Sequence, residues 1–89
     1  MEIIYSDSFN KDISKLRDKH LKNKIASVIE EIEVAKSFSD IKNIIRLQGF
    51  KHHYRIRVGD YRIGIFHNQN NQIEVVRFLN RKDIYTYFP

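Results

Sequence analysis

Tyr54-Arg-Ile-Arg-Val-Gly-Asp-Tyr-Arg-Ile-Gly-Ile-Phe66 places an alternation of apolar and basic residues on either side of Gly59-Asp60. Apolar residues at every second position have the period of a strand with one face buried. A Gly-Asp pair between two such runs is the signature of a two-residue hairpin turn. With that pair at the centre, Val58 faces Tyr61, Ile56 faces Ile63 and Tyr54 faces Ile65. One face of the hairpin is then apolar and belongs against a core. The other carries Arg55, Arg57 and Arg62, with Arg57 directly across from Arg62. Like charges so placed repel, which a surface selected only for stability avoids. An anion held between the guanidinium groups would turn that repulsion to use. Gly64, opposite Arg55, is expected to leave room for a ligand backbone to approach the sheet. A merely solvated basic face is the alternative.

Downstream of the hairpin, His67 to Gln72 is a polar, asparagine-rich loop, and Ile73 to Leu79 is a third, more continuously apolar strand. Asn80 to Pro89 is a short tail with room for a turn of helix. Upstream, Glu2 to Ser6 reads as a first strand, followed by Ser6, Asp7 or Ser8 as a helix cap. Phe9, Ile13 and Leu16 give the stripe of a helix reaching about Asp18. Leu21, Ile25, Val28, Ile29 and Ile32 give that of a second, starting near His20. The short join predicts an antiparallel helical hairpin. Asp40 is expected to cap one more helical turn through Ile41 to Ile45, ended by Gly49. The fold class is therefore α+β: a leading strand and a helical hairpin packed on a small antiparallel sheet, in the order β-α-α-β-β-β with a short tail. Residues 1–89 are expected to form a single domain.

The 89 residues are 42% apolar and carry a net charge of +5, with no cysteine. A chain of this size buries about 60–65% of its unfolded surface, enough for one core. Without cysteine, no disulfide or thiolate zinc site supplements it. The amino terminus lacks a signal-peptide pattern and no apolar run is long enough to span a bilayer, so a cytoplasmic protein away from membranes is expected. The charge is unevenly placed. Residues 1–45 carry eight basic and eight acidic side chains, and residues 46–89 carry eight basic and three acidic. Six of those later basic residues are arginines, against one, Arg17, before them. Arginine rather than lysine points to planar, bidentate recognition of phosphate or carboxylate.

Leu47-Gln-Gly49, the Tyr54 to Ile63 run, Asn80-Arg-Lys-Asp-Ile-Tyr85 and the terminal Phe88-Pro89 together resemble the RelE/ParE superfamily of bacterial and archaeal toxins. The likeness spans essentially the whole chain. It implies a metal-independent endoribonuclease, without cofactor, that cuts mRNA on the ribosome and is held silent in a hetero-oligomer with a cognate antitoxin. In such enzymes the RNA 2′-OH attacks the adjacent phosphorus and the 5′-oxygen leaves, giving a 2′,3′-cyclic phosphate or its opened product. By motif, the family's meander positions fall on Arg55, Arg57 and Arg62, and its tail positions on Arg81 and Tyr85. Arg57, Arg62 and Arg81 would clamp the scissile phosphate, since a guanidinium stays charged and grips two oxygens. Arg55 would hold a neighbouring phosphate. Tyr85 is the candidate general base, although a phenol acts at neutral pH only within a field of positive charge; packing the tail onto the core is its alternative role. Lys51, Arg77, Lys82 and Phe66 complete the expected RNA-contacting set. Asn80 stands where many relatives have histidine, and an amide exchanges no proton in this pH range. The same superfamily includes a gyrase-poisoning branch, and an inactive antitoxin-binding module is a further reading.

Other signals carry less. His52 and His53 are neighbours in an extended segment and point to opposite faces, which does not suit one metal. His67 reads as an exposed histidine at a strand end. Glu30, Glu31 and Glu33 read as a solvated helix face. Tyr61 belongs with the core, whereas Phe66, on the arginine side, could stack on a base.

Overall fold

The computed structural model describes every residue from Met1 to Pro89. Its elements are β1 (Glu2–Tyr5), α1 (Asp7–Ser14), α2 (Lys19–Val34), a 3-10 turn at Phe38–Asp40, β2 (Ile44–Arg46), β3 (His53–Val58), β4 (Tyr61–His67), β5 (Gln72–Asn80) and α3 (Ile84–Tyr87). The strands form one sheet in the order β1-β5-β4-β3-β2. The hairpin has the register anticipated from its alternation: Val58 pairs with Tyr61, Arg57 with Arg62, Ile56 with Ile63, Arg55 with Gly64 and Tyr54 with Ile65. Gly59 opens the turn at φ +60° while Asp60 keeps a negative φ, as in the type II′ turn that glycine favours at its first central position.

Three expectations are corrected. The sheet is mixed, because β1 runs parallel to β5. Ile44–Arg46 is a strand on the far edge, paired antiparallel with β3, where a helical turn was expected. Asp40 instead ends the short 3-10 turn, and its β-branched successors take a vacant sheet edge. The first helix also stops at Ser14, short of Asp18, because Asp18 caps the next helix by accepting from the Leu21 N–H at 3.2 Å. Of the candidate caps for α1, Ser6 serves. Its hydroxyl accepts from the Phe9 N–H at 3.0 Å and donates to the Val76 carbonyl at 2.6 Å, pinning the start of α1 to β5.

Both helices lie on one face of the sheet. Phe9, Ile25 and Ile32 meet Ile56, Val58, Ile63, Ile65, Ile73, Val75 and Phe78 there in the main core. A register shift in β5 decides which of its residues join. Gly64 pairs with Arg77 but Ile65 pairs with Val75, so Val76 is an extra, bulged residue. Strict alternation from Ile73 and Val75 would turn Arg77 into the core. The bulge shifts the phase, placing Phe78 inside and turning Val76 and Leu79 toward a second cluster.

That second cluster consists of Leu47, Ile84 and Phe88, all buried, and it belongs to the tail. A Cβ on Gly64 would stand 2.8 Å from carbons of the Phe88 ring. The space expected for a ligand backbone is thus filled by the protein's own tail. Gly64 is needed because the ring of Phe88 lies directly on the strand. Gly64→Ala should therefore destabilise by about 1–3 kcal/mol through overpacking, and Phe88→Ala by about 3–5 kcal/mol through the cavity it leaves. The double variant should lose less than the sum, because the added methyl enters the vacated space. Thermal unfolding of the four proteins checks this: full additivity would mean that the two residues do not share the site.

Candidate phosphate site on the arginine face

Arg55, Arg57 and Arg62 project from β3 and β4 on the side away from the helices, with Asn43 and Ile45 of the β2 edge beside them. Together with Gly59 they line an open groove of ≈ 480 Å³. Arg62 is half-buried and donates through one guanidinium nitrogen to the Gly59 carbonyl at 3.0 Å and the Tyr61 carbonyl at 2.9 Å. Its head is thereby fixed at the hairpin tip. The side chains of Arg55, Arg57 and Arg81 make no hydrogen bond within the chain, and none meets a carboxylate; Arg77 with Asp12 is the sole ion pair.

The tail reaches the same place by two backbone links. Asn80 pairs with Tyr61 at the end of β5, and the Arg81 N–H donates to the Asp60 carbonyl at 2.9 Å. The chain then turns sharply, with the Asn80 amide oxygen accepting from the Lys82 N–H at 3.0 Å and its carbonyl from the Asp83 N–H at 2.8 Å. Asn80 thus shapes the turn that launches α3, a role for which an amide is well suited. Ile84 and Phe88 anchor α3 in the second cluster and leave Tyr85 65% exposed.

Electrostatics register the convergence. The pKa of Arg62 is lowered, first by burial and then by the positive charges of Arg55, Arg57 and Arg81; Tyr85 acts in the opposite direction. All five residues singled out on the two hairpin strands and the tail therefore lie within one field. Four guanidinium groups drawn together without a counter-charge make a surface that an anion relieves.

The wider set divides. Arg77, expected among the RNA contacts, is corrected: Asp12 of α1 takes its guanidinium in a two-point grip at 2.8 and 3.1 Å, and the same carboxylate accepts the Phe78 N–H at 2.9 Å. Its pKa is raised, chiefly by that hydrogen bonding. Beyond the stretch where β1 pairs, β5 offers a free N–H, and Asp12 and Arg77 close that gap. Phe66 does lie on the arginine side, but it is half-buried, with the ring of His53 at 4.8 Å and that of His52 edge-on at 6.5 Å. His53 is engaged in turn by Phe88 at 5.7 Å, and burial lowers its pKa. Lys51 and Lys82 are exposed and do not line the groove; Arg81 and Tyr85 do not line it either, and are linked to it through the Arg81 backbone at the hairpin tip. Asn43 and Ile45 do, and sequence reasoning missed them because β2 was read as helix. The β-branched pair Ile44-Ile45 was the available signal. His67 is stacked on Phe38 at 4.2 Å and bonded to Asn71, not turned toward the arginines.

A leading strand, two helices on one face of a small sheet and an arginine-lined opposite face closed by a short tail are the features of the RelE/ParE superfamily toxins. Comparison with known proteins agrees. Residues 3–85 match the family described as "ParE toxin of type II toxin-antitoxin system, parDE". Toxin RelE3 of Methanocaldococcus jannaschii is 40% identical over 90 residues, covering 100% of both chains. The toxin chain of the RelB-RelE antitoxin-toxin complex from Methanococcus jannaschii superposes with a TM-score of 0.77 at 39% identity, over 97% of this chain and 99% of that one. E. coli YafQ shares the fold, with a TM-score of 0.72 over 94% of this chain and 97% of its own at 18% identity. The chain belongs to the ParE toxin family of type II toxin–antitoxin systems.

The Asp12 grip generates its own test. Asp12→Ala leaves the Phe78 N–H and the Arg77 guanidinium without their acceptor and should cost about 1–3 kcal/mol. For a chain of this size that is a fall in Tm of roughly 4–8 °C per kcal/mol, measurable by scanning calorimetry. An unchanged Tm would show that α1 does not depend on this contact.

Proposed function

We propose that this toxin is an endoribonuclease that stops translation by cutting mRNA on the ribosome, without a metal. The observation that carries the reading is the groove lined by Arg55, Arg57 and Arg62, with the Arg81 backbone tied to the hairpin tip at Asp60 and Tyr85 exposed on the tail that follows. Cleavage by the RNA's own 2′-OH requires a proton acceptor, charge stabilisation at phosphorus and a stabilised leaving oxygen. Arg57, Arg62 and Arg81 grip the scissile phosphate and carry the extra charge of the phosphorane. Arg62 is pre-positioned for this by its two carbonyl acceptors. Arg55, deeper along the strand, takes an adjacent phosphate. Tyr85, acting as its phenolate, takes the proton of the 2′-OH as that oxygen attacks phosphorus, and becomes the phenol. The bond to the 5′-oxygen breaks, that oxygen takes a proton from solvent, and a 2′,3′-cyclic phosphate remains.

The controlling partner is an antitoxin, most economically one encoded beside this chain, whose acidic segments cover the arginine face by the attraction that draws RNA. The M. jannaschii relative was solved as an antitoxin–toxin complex, which supports a hetero-oligomer here. The site of action is the cytoplasm, where translating ribosomes are found. A gyrase-directed reading is favoured only by the ParE description of the matching family. Fold alone does not separate the two, because function lies in the site, and a clustered arginine and tyrosine set is chemistry a non-nuclease does not need.

In a translation extract the protein should halt synthesis and leave cut mRNA while plasmid supercoiling is unaffected. Arg62→Ala should slow cleavage about 100- to 1,000-fold, as loss of a transition-state charge donor does. Its stability should change by no more than about 1 kcal/mol, because relief of the repulsion from Arg57 offsets the loss of one exposed and one partly buried hydrogen bond. DNA breakage with continued translation would replace this reading with the gyrase one.

A further inference from the structure

The arginine groove does not stop at the hairpin tip. Three surface openings meet there, and Arg57 and Gly59 line all of them. Across the tip, a second groove of ≈ 470 Å³ runs between the hairpin and the first half of α2. His20, Asn23, Lys24 and Ser27 form its helical wall, and no carboxylate lines it. Its volume equals that of the arginine groove to within a few per cent, and both are open to solvent along their length.

Lys24 makes no ion pair. The residues that could offer it one along α2, three and four positions away, are His20, Leu21, Ser27 and Val28, none of them an anion. Gly59 separates the two grooves, and it has no side chain to close the passage. A Cβ there would point toward the Lys24 ammonium, 3.8 Å away. The nearby carboxylates, Asp18 and Asp60, line the third opening, toward Tyr61, where His20 and Lys24 present their other side. They would repel a polyanion from that exit, whereas the side of Lys24 that faces along α2 meets no carboxylate.

We infer that the RNA strand held by the arginines continues over Gly59 into the α2 groove. There Lys24, beside His20, binds a phosphate of a flanking nucleotide, and Asn23 and Ser27 offer hydrogen bonds to ribose hydroxyls. A basic groove that tracks the backbone is how proteins hold single strands without reading sequence. This inference rests on the nuclease reading and extends its footprint beyond the scissile step.

Fluorescence anisotropy tests it with RNA made uncleavable by a single 2′-O-methyl group at the scissile step and otherwise carrying free 2′-hydroxyls, using a short oligonucleotide that spans only that step and a longer one extended on both sides. Lys24 is exposed on a helix, so Lys24→Ala should fold normally, and Arg57→Ala serves as the reference. Lys24→Ala should weaken the long RNA about fivefold at low salt and flatten its salt dependence by about 0.7 in slope, the signature of one lost single-strand phosphate contact. The short RNA should bind it as it binds the wild type. Equal affinities for the long RNA, or equal losses on both RNAs, would overturn the inferred path. Wild-type protein that binds neither RNA and leaves mRNA on translating ribosomes uncut, or Arg57→Ala that binds both RNAs normally, would instead overturn the nuclease reading beneath it.

Discussion

The ring of Phe88 lies against the bare backbone of Gly64, and the composition of the site depends on that contact. Arg55, Arg57 and Arg62 are placed by strands and would stand on the outer face of the sheet without the tail. Arg81 and Tyr85 are placed only if the last residues fold back. Ile84 and Phe88, joined by Leu47, supply the burial that makes them do so. The strand is open to an aromatic ring at one position, where it lacks a side chain. A feature that looked like an approach for ligand is therefore an anchor for the part of the protein that completes the site.

The opposing constraint is charge. Arg57 across from Arg62, with Arg55 and Arg81 close by, is a repulsive arrangement that the fold tolerates without a carboxylate to neutralise it. The protein demonstrates the alternative elsewhere: Arg77, of the same residue type and the same half of the chain, is gripped by Asp12 and serves the packing of α1 on β5. The contrast separates a structural arginine from recognition arginines. The first has a partner inside the chain, and the others await one from outside.

Several of these distinctions are legible in the sequence. The alternation from Tyr54 to Phe66 gave the register, the apolar face and the Arg57–Arg62 opposition, because a two-residue turn leaves little freedom in how its strands pair. The helical stripes gave two helices on one side of a sheet. The β2 edge was missed because Asp40 resembles a cap and a three-residue strand has too few positions to display a period. The role of Arg77 was missed because the β5 bulge and the Asp12 contact involve residues far apart in sequence. Gly64 marks a close approach to the strand, but the expectation of a ligand there is overturned by the Phe88 ring, which its sequence neighbours do not reveal.

Local pattern thus determined on its own what local physics controls: the period of each element, the turn between β3 and β4, and the concentration of arginine in the second half of the chain. Tertiary structure alone decided which arginines remain unpaired, what fills the space over Gly64, and that tail and hairpin share one electrostatic field. Those outcomes depend on contacts between residues far apart in sequence, whose energies no short segment encodes.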